Sequence, residues 1–158
     1  MNNLATDQDY LSLLATIKSK IQQAQVKASI AVNQELLLLY WEIGKEILNR
    51  QEKAGWGAKV IEQLEKDLRQ EFPGMQGYSK RNLLYMRQFA QTYPDFEIVQ
   101  APLAQITWYH NITLLQKCPH KKERLWYAAQ AIENGWSRDV MVLHIETKLY
   151  ERQGKLPS

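Results

Sequence analysis

The first fifty residues repeat apolar positions with the period of an α-helix. Over three heptads these positions follow one another at spacings of four and three, and Lys18, Lys20 and Lys27 occupy the other faces. A second apolar set then runs from Leu37 to Leu48. The pattern predicts a helix from about Asp7 to Glu52, either straight or bent near residues 26–33. The heptad seam consists of Tyr10, Leu14, Ile17, Ile21, Ala24, Ala28 and Ala31.

The seam has two possible packing partners. It either packs against later helices of its own chain or forms an intermolecular coiled coil with another chain. The alanines at its end allow a second helix to approach closely in both cases. Tyr10, Leu14, Ile17, Ile21, Ala24 and Ala28 are therefore the candidates for an oligomer seam.

The rest of the chain shows helical periodicity between clusters of Gly and Pro, without a convincing two-residue period. Pro94 and Pro102 bracket a segment that we expect to be a loop, because each proline disfavours helix in the residue before it. The sequence predicts an all-α fold in which a long N-terminal helix packs with about five shorter helices. We expect a single domain over residues 1–158, with 7–52 as a helical arm and 154–158 as the start of a linker or tail. The shorter helices are predicted over residues 58–71, 79–92, 103–116, 121–133 and 137–153.

Three segments begin with the same local pattern of Gly, a large aromatic residue, and then Ser or Gly before a basic or small residue. The hydroxyls of Ser79 and Ser137 can accept hydrogen bonds from the free amides of a first helical turn, and Gly57 is a weaker N-cap. The aromatic residue and the apolar residue five positions later then form a hydrophobic staple. The motif therefore indicates the start of a helix rather than a binding or catalytic site. The staple pairs are Trp56 with Ile61, Tyr78 with Leu83, and Trp136 with Met141.

The second and third predicted helices, joined by the turn PGMQG, resemble a helix-turn-helix with a turn longer than the usual three to four residues. Arg and Lys side chains suit guanine edges and phosphates, Gln suits adenine, and the free amides of a first helical turn suit phosphate. The outward side of the third helix is therefore a candidate for DNA contact, and an ordinary solvated face is the alternative. The candidate contacts are Lys80, Arg81, Arg87, Gln88 and Gln91.

A second basic run, Lys121, Lys122 and Arg124, stands at a predicted helix start after His120. Positive charges there oppose the helix dipole, and a phosphate contact would offset this cost. We add these three residues to the candidate DNA contacts, with a plain solvated turn as the alternative.

No set of polar residues has the spacing that catalysis or metal binding requires. Asp139 with Glu146–Lys148 imitates a PD-(D/E)xK nuclease motif, but residues two apart on a helix diverge by about 200° instead of sharing a face. His110, Cys118 and His120 lack a fourth zinc ligand. Phosphate-loop and nucleophile-elbow motifs are missing. We expect no catalytic residue, no metal and no cofactor in this chain.

Composition narrows the possible binding partners and cellular compartment only modestly. The net charge of +3 gives only a mild preference for polyanions. The single cysteine, Cys118, excludes an internal disulfide and fits a reducing compartment. The longest apolar run, Leu36–Trp41, is far too short to span a bilayer, and the N-terminus does not read as a signal peptide. The sequence favours a cytoplasmic protein without membrane contact.

Six stretches follow one another along the chain: VNQELLLLYWEIGKEI, GWGAKVIEQLEKDL, FPGMQGYSKRNLLYMRQFAQTYP, ITWYHNITLL, ERLWYAAQAIENGWSRDVM and IETKLYERQGK. In this order they resemble the N-terminal domain of the YhcG-like bacterial proteins, whose full-length members continue into a PD-(D/E)xK nuclease domain. The resemblance covers about Tyr10 to Lys155 and implies a helical module that binds DNA. The catalytic carboxylates and lysine of those nucleases belong to the second domain, so none is carried over to this chain.

These observations lead to one prediction and one alternative. The prediction is a non-catalytic module that docks on DNA and, in full-length relatives, delivers a nuclease to it. The alternative is a protein-interaction module in which the heptad helix forms a homodimer or holds a partner such as a nuclease subunit, while the basic helix is merely solvated. A convergence of the basic residues on one surface would favour the first.

Overall fold

The computed structural model describes residues 7–54 and 59–154 and is all-α, with no strand among these residues. The predicted fold class is confirmed, while the Gly57 cap and the Trp56 staple lie outside the described residues. A short 3₁₀ turn covers Leu103–Gln105 and a π-helical turn covers Tyr150–Gly154. The α-helices are α1 (Gln8–Ala54), α2 (Lys59–Glu71), α3 (Lys80–Thr92), α4 (Phe96–Gln100), α5 (Trp108–Lys117), α6 (Lys121–Asn134) and α7 (Arg138–Glu146).

The second half of α1 crosses α3 at very short range, and this crossing is the centre of the core. A Cβ atom placed on Gly44 would overlap the carbonyl oxygen of Met86 and would lie 2.9 Å from the Cβ of Ala90. Gly44 therefore allows the two helix backbones to touch. The indole nitrogen of Trp41 donates a 2.7 Å hydrogen bond to the carbonyl of Tyr93, which holds the end of α3 against α1.

The first half of α1, residues 8–32, is an arm that no other described part of the chain covers. Its side chains are exposed except for the half-buried Leu14. The arm meets the rest of the fold at Asn33, whose amide donates to the carbonyls of Ala104 at 3.2 Å and Ile106 at 2.9 Å. The helix continues without interruption through residues 26–33. The heptad seam therefore does not pack against later helices of its own chain.

Both described serine caps form as predicted. The Ser79 hydroxyl accepts from the amide of Asn82 at 3.1 Å, and the Ser137 hydroxyl accepts from the amide of Val140 at 3.2 Å. Each serine has an extended backbone, as an N-cap residue requires. The repeated motif therefore starts α3 and α7.

The segment between Pro94 and Pro102 was predicted to be a loop. This prediction is wrong in part, because the segment contains α4. Proline restricts only the residue before it, and the residues between leave room for one helical turn. Val99 on this turn is fully buried, and Phe96 packs its ring 5.6 Å from that of Trp41. Tertiary burial therefore decides the conformation of this segment.

The helix predicted over residues 103–116 is wrong in its first half, since the chain is extended at Ile106 before α5 begins. Thr107 breaks the helix because it forms a capping box with His110. Its hydroxyl accepts from the His110 amide at 3.1 Å, and the His110 Nδ1 accepts from the Thr107 amide at 3.3 Å.

The helix predicted over residues 137–153 is also interrupted, because α7 ends at Glu146 and Lys148 has a positive φ of 59°. The interruption lets Tyr150 turn inward. Its amide donates to the hydroxyl of Tyr127 at 3.0 Å, and its ring packs 5.4 Å from that of Trp126. Packing of this aromatic cluster outweighs continuation of a regular helix.

Cys118 is buried, and burial, the largest cause, together with nearby Glu123 raises the pKa of its thiol to about 12. At pH 8 we expect the folded protein to react with a thiol reagent at least tenfold more slowly than the urea-unfolded chain, since the thiolate is the reactive form. Comparable rates in the two states would contradict this assignment.

The same shift predicts a loss of stability in alkali. The unfolded thiol, with a pKa near 9, ionises first, so the free energy of unfolding should fall as the pH rises from about 9 to about 12. The variant Cys118→Ala should show a shallower fall in urea titrations across that range. Part of the slope should remain, because burial also raises the pKa of Tyr93 and Tyr127.

Candidate functional site

The outward side of α3 carries a row of polar and aromatic residues. Arg81, Tyr85 and Gln88 stand at spacings of four and three, so they lie in line on one side of the helix, opposite the buried Leu83 and Ala90. Arg81 and Gln88 are exposed, and Gln91 is exposed next to them. We call Arg81, Tyr85, Gln88 and Gln91 the outer row. Three of the predicted DNA contacts therefore share this surface.

The outer row continues into an open groove between the start of α3 and the side of α5. The groove has a volume of about 640 Å³ and is lined by two arginines and several aromatic and amide side chains, and no described residue that lines it is acidic. Tyr109 on its rim is 71% exposed. Its polar and aromatic lining includes Gln76, Arg81, Tyr85, Tyr109, Gln116 and Arg138. We call it the α3–α5 groove.

Contacts within the groove hold its side chains in place, and among the described residues only Arg138 of its two arginines has an acidic partner. The Arg81 guanidinium lies 5.7 Å from the ring centre of Tyr85 and, as the largest cause, lowers the pKa of that phenol. Gln116 donates to the Tyr85 hydroxyl. The Arg138 Nε donates to the Thr113 hydroxyl at 3.0 Å. Its Nη1 meets the highly exposed Asp139 at 3.1 Å, a pair that water screens strongly.

Lys80 and Arg87 lie away from the outer row. The Lys80 ammonium is 2.7 Å from the Glu62 carboxylate on α2, and Arg87 donates to the Gln51 side chain on α1 at 3.0 Å. The first amides of α3 are also occupied, since the Lys80 amide donates to Glu65 and the Asn82 amide to Ser79. The start of α3 therefore does not offer the set of free amides expected from the sequence.

The second basic run divides into exposed and buried members. Lys121 and Lys122 are exposed in the first turn of α6, which packs on α5 and α7. Arg124 is only 7% exposed, and its guanidinium donates to the Tyr93 hydroxyl and to the Cys118 carbonyl, both at 2.8 Å. Arg124 therefore ties α6 to the end of α3 and is unsuited to contact a phosphate.

The polar residues beside Trp108 form a buried junction. The His110 Nε2 lies 2.9 Å from the Trp136 carbonyl, and since Nδ1 accepts from Thr107, the proton belongs on Nε2. The Asn111 amide donates to the carbonyls of Leu103 and Thr107, both at 3.0 Å. Throughout residues 7–54 and 59–154, no group of three potential metal-ligating side chains comes together.

The sequence matches a known protein family. The profile of the DUF1016 N-terminal domain matches residues 16–152 of the chain. The chain belongs to the DUF1016 N-terminal domain family. This is the N-terminal domain family of the YhcG-like proteins, which confirms the resemblance found in the sequence. No curated protein and no solved structure matches the chain.

Two features of this DUF1016 domain were not apparent from periodicity alone. Arg138 directly follows the Ser137 cap, and its position in the motif suggested only a helix start. Tyr109 stands between two buried residues of α5 and becomes a rim residue only because α3 lies across the groove.

Among the described helices, none is both long and apolar enough to cross a membrane.

Proposed function

We propose that this DUF1016 domain is a non-catalytic module that docks on DNA through the outer row and the α3–α5 groove. One observation carries the proposal: Arg81 and Arg138 line the same groove, with exposed Tyr109 and without a described acidic residue in the lining. Cationic grooves with aromatic side chains are the usual means of binding the nucleic-acid backbone and unpaired bases.

Each part of the surface has a distinct role in the proposal. The two arginines contact phosphates, and Tyr109 offers a ring on which an unpaired base can stack, worth about 1–3 kcal/mol per base. Gln88 and Gln91 present amides of the kind that read adenine edges. Lys80 and Arg87, which face α2 and α1, are not part of this surface, and the exposed Lys121 and Lys122 add phosphate contacts outside it. In full-length relatives such docking would bring a nuclease domain to its substrate.

Arg81→Ala should weaken binding to a fluorescent DNA by about 10- to 150-fold, because a hydrogen bond to a charged group such as a phosphate contributes about 1.5–3 kcal/mol. The loss of one phosphate contact should also reduce the salt slope by about one. The measurement is a salt titration by fluorescence anisotropy with three probes: a duplex, a single strand and a branched junction. Preference for the single strand or junction would assign the main role to Tyr109, and preference for the duplex would assign it to the outer row.

Arg152→Ala is the matched control, because it removes the same charge from an exposed arginine that does not line the groove. It should leave affinity and slope nearly unchanged. Equal effects of the two variants would mean that only net charge matters, and absence of binding at low salt would remove the DNA proposal for this domain.

Assembly with another helix is a second candidate function, favoured by the exposed arm. Ile17, Ile21 and Val32 are 44%, 53% and 68% exposed. Helices of proteins are stabilised mainly by burial of an apolar face rather than by helix propensity, and the apolar side chains of this arm are not buried. The arm is therefore expected to acquire a partner.

A further inference from the structure

Apolar residues of α1 that are not buried form a stripe along the arm and the second half of the helix, and the charged residues Glu46 and Arg50 continue its spacing at the C-terminal end. Its spacings are 4, 3, 4, 3, 4, 4, 4, 3, 4, 3 and 4, which are the same in both directions from residue 30. None of these side chains is buried in the described structure. The stripe consists of Tyr10, Leu14, Ile17, Ile21, Ala24, Ala28, Val32, Leu36, Leu39, Ile43, Glu46 and Arg50.

The last four residues of the stripe, Leu39, Ile43, Glu46 and Arg50, line a groove between α1 and α2, which we call the α1–α2 groove. It has a volume of about 1010 Å³. Leu39 and Ile43 form its α1 side, and Val60, Leu64 and Leu68 form its α2 side. Because α2 is held by α3, the space beside α1 is left open to a third apolar helix.

We infer that the arm of a second copy of this chain occupies the α1–α2 groove, in an antiparallel homodimer whose axis passes near residue 30. This inference rests on the second candidate function, assembly through the arm, and names its partner and geometry. The symmetric spacing places each stripe residue of one copy opposite a stripe residue of the other, and the first four arm residues opposite residues of the α1–α2 groove. The facing pairs are Tyr10 with Arg50, Leu14 with Glu46, Ile17 with Ile43, Ile21 with Leu39, Ala24 with Leu36, and Ala28 with Val32.

Charge selects the antiparallel arrangement over the parallel one. Between Asp9 and Glu35 the arm carries three lysines and no acidic residue. A parallel pair would align two arms that both carry only positive charge between these residues, and such arms repel each other. In the antiparallel pair each arm lies along the second half of the other α1, where Glu35, Glu42 and Glu46 are exposed.

The size of the contact is adequate for a stable dimer. The stripe spans 41 residues from Tyr10 to Arg50, or roughly 60 Å of helix. A standard interface buries about 800 Å² per partner, which a helix pair of this length can reach. The small side chains Ala24 and Ala28 allow the two helices to approach closely beside the axis.

Ile21→Asp tests the interface by sedimentation velocity of the full chain at micromolar concentration. Its effect on dimer dissociation should be about 1,000-fold, because each affected site costs about 30-fold and the dimer contains the change twice. Val26→Asp is the matched control, since Val26 is equally exposed on the opposite side of the arm and should leave the dimer intact. Circular dichroism should show that both variants keep the folded core.

Disulfide trapping tests the arrangement. A mixture of Ile21→Cys and Leu39→Cys chains should form a cross-linked dimer under mild oxidation, while neither variant should cross-link alone. Cross-linking of Ile21→Cys by itself would show a parallel pair and overturn the antiparallel geometry while keeping assembly. A wild-type chain that sediments as a monomer would overturn the dimer as well. Neither result would bear on the DNA titrations, which are measured separately.

Discussion

Replacing Gly44 by alanine should destabilise the protein by about 2 kcal/mol or more, although alanine is the better helix former. In an open helix position the change would gain about 1 kcal/mol. At Gly44 the new Cβ would overlap the backbone oxygen of Met86 and crowd Ala90. A backbone carbonyl in a helix cannot rotate away, so α1 and α3 would have to separate, and overpacking of this kind costs about 1–3 kcal/mol or more.

Thermal unfolding measures this effect. A loss of about 2 kcal/mol corresponds to a fall in Tm of about 4–8 °C for a chain of this size. Asn49→Ala on the exposed side of the same helix is the control and should raise Tm slightly or leave it unchanged. An increase in Tm for Gly44→Ala would show that the two helices do not cross at this distance.

Replacing Arg124 by alanine should destabilise the protein by about 2–3 kcal/mol. The change removes two charge-assisted hydrogen bonds and leaves the Cys118 carbonyl without its partner in a buried position. The guanidinium also lies 5.4 Å from the ring centre of Tyr93, so packing is lost too. Urea unfolding measures the change, and Lys121→Ala, at an exposed site in the same helix turn, should have an effect below about 0.5 kcal/mol.

Arg124→Lys should not recover the stability, because a single ammonium cannot reproduce the planar pair of donors directed at Tyr93 and Cys118. Folded Arg124→Ala protein should bind DNA with nearly the same affinity as wild type. Weakened binding by fully folded protein would return Arg124 to the candidate DNA contacts.

The burial of Arg124 was predictable from helical spacing but not from local charge. This arginine stands three, four and seven residues before the buried Tyr127, Ala128 and Ala131, so helical spacing alone places it on the buried side of α6. Local charge had grouped it with Lys121 and Lys122. The spacing of Lys122 places it on another face, whereas Lys121 shares the face of Ala128 and is exposed because it is the first residue of α6. Periodicity was the better guide here, because a charged residue on a buried face can be satisfied by neutral acceptors.

Helix positions were predictable where one apolar face and one cap coincide, as in α3, where Ser79 precedes Leu83, Met86 and Phe89. They were not predictable where distant parts of the chain decide. The break before α5 depends on a capping box closed by His110 in place of the usual Glu or Gln. The break after Glu146 depends on Tyr150 reaching the cluster of Trp126 and Tyr127, which are far away in sequence.

The candidate site was predictable only in part for a similar reason. Helical spacing identified the outward position of Arg81, Gln88 and Gln91. The convergence of Arg138 and Tyr109 on the same groove requires α7 and α5 to fold beside α3, and no local pattern encodes that arrangement.

The uninterrupted course of α1 has a consequence for how its two halves can vary. Insertion of one residue before Asn33 would rotate the arm about the helix axis by about 100° relative to the core and advance it by about 1.5 Å. The rotational phase of the stripe is thus tied to the Gly44 crossing through the residue count alone. Changes in arm length that preserve this phase come in steps of about seven residues, or two turns, since a single turn of 3.6 residues cannot be added as a whole number.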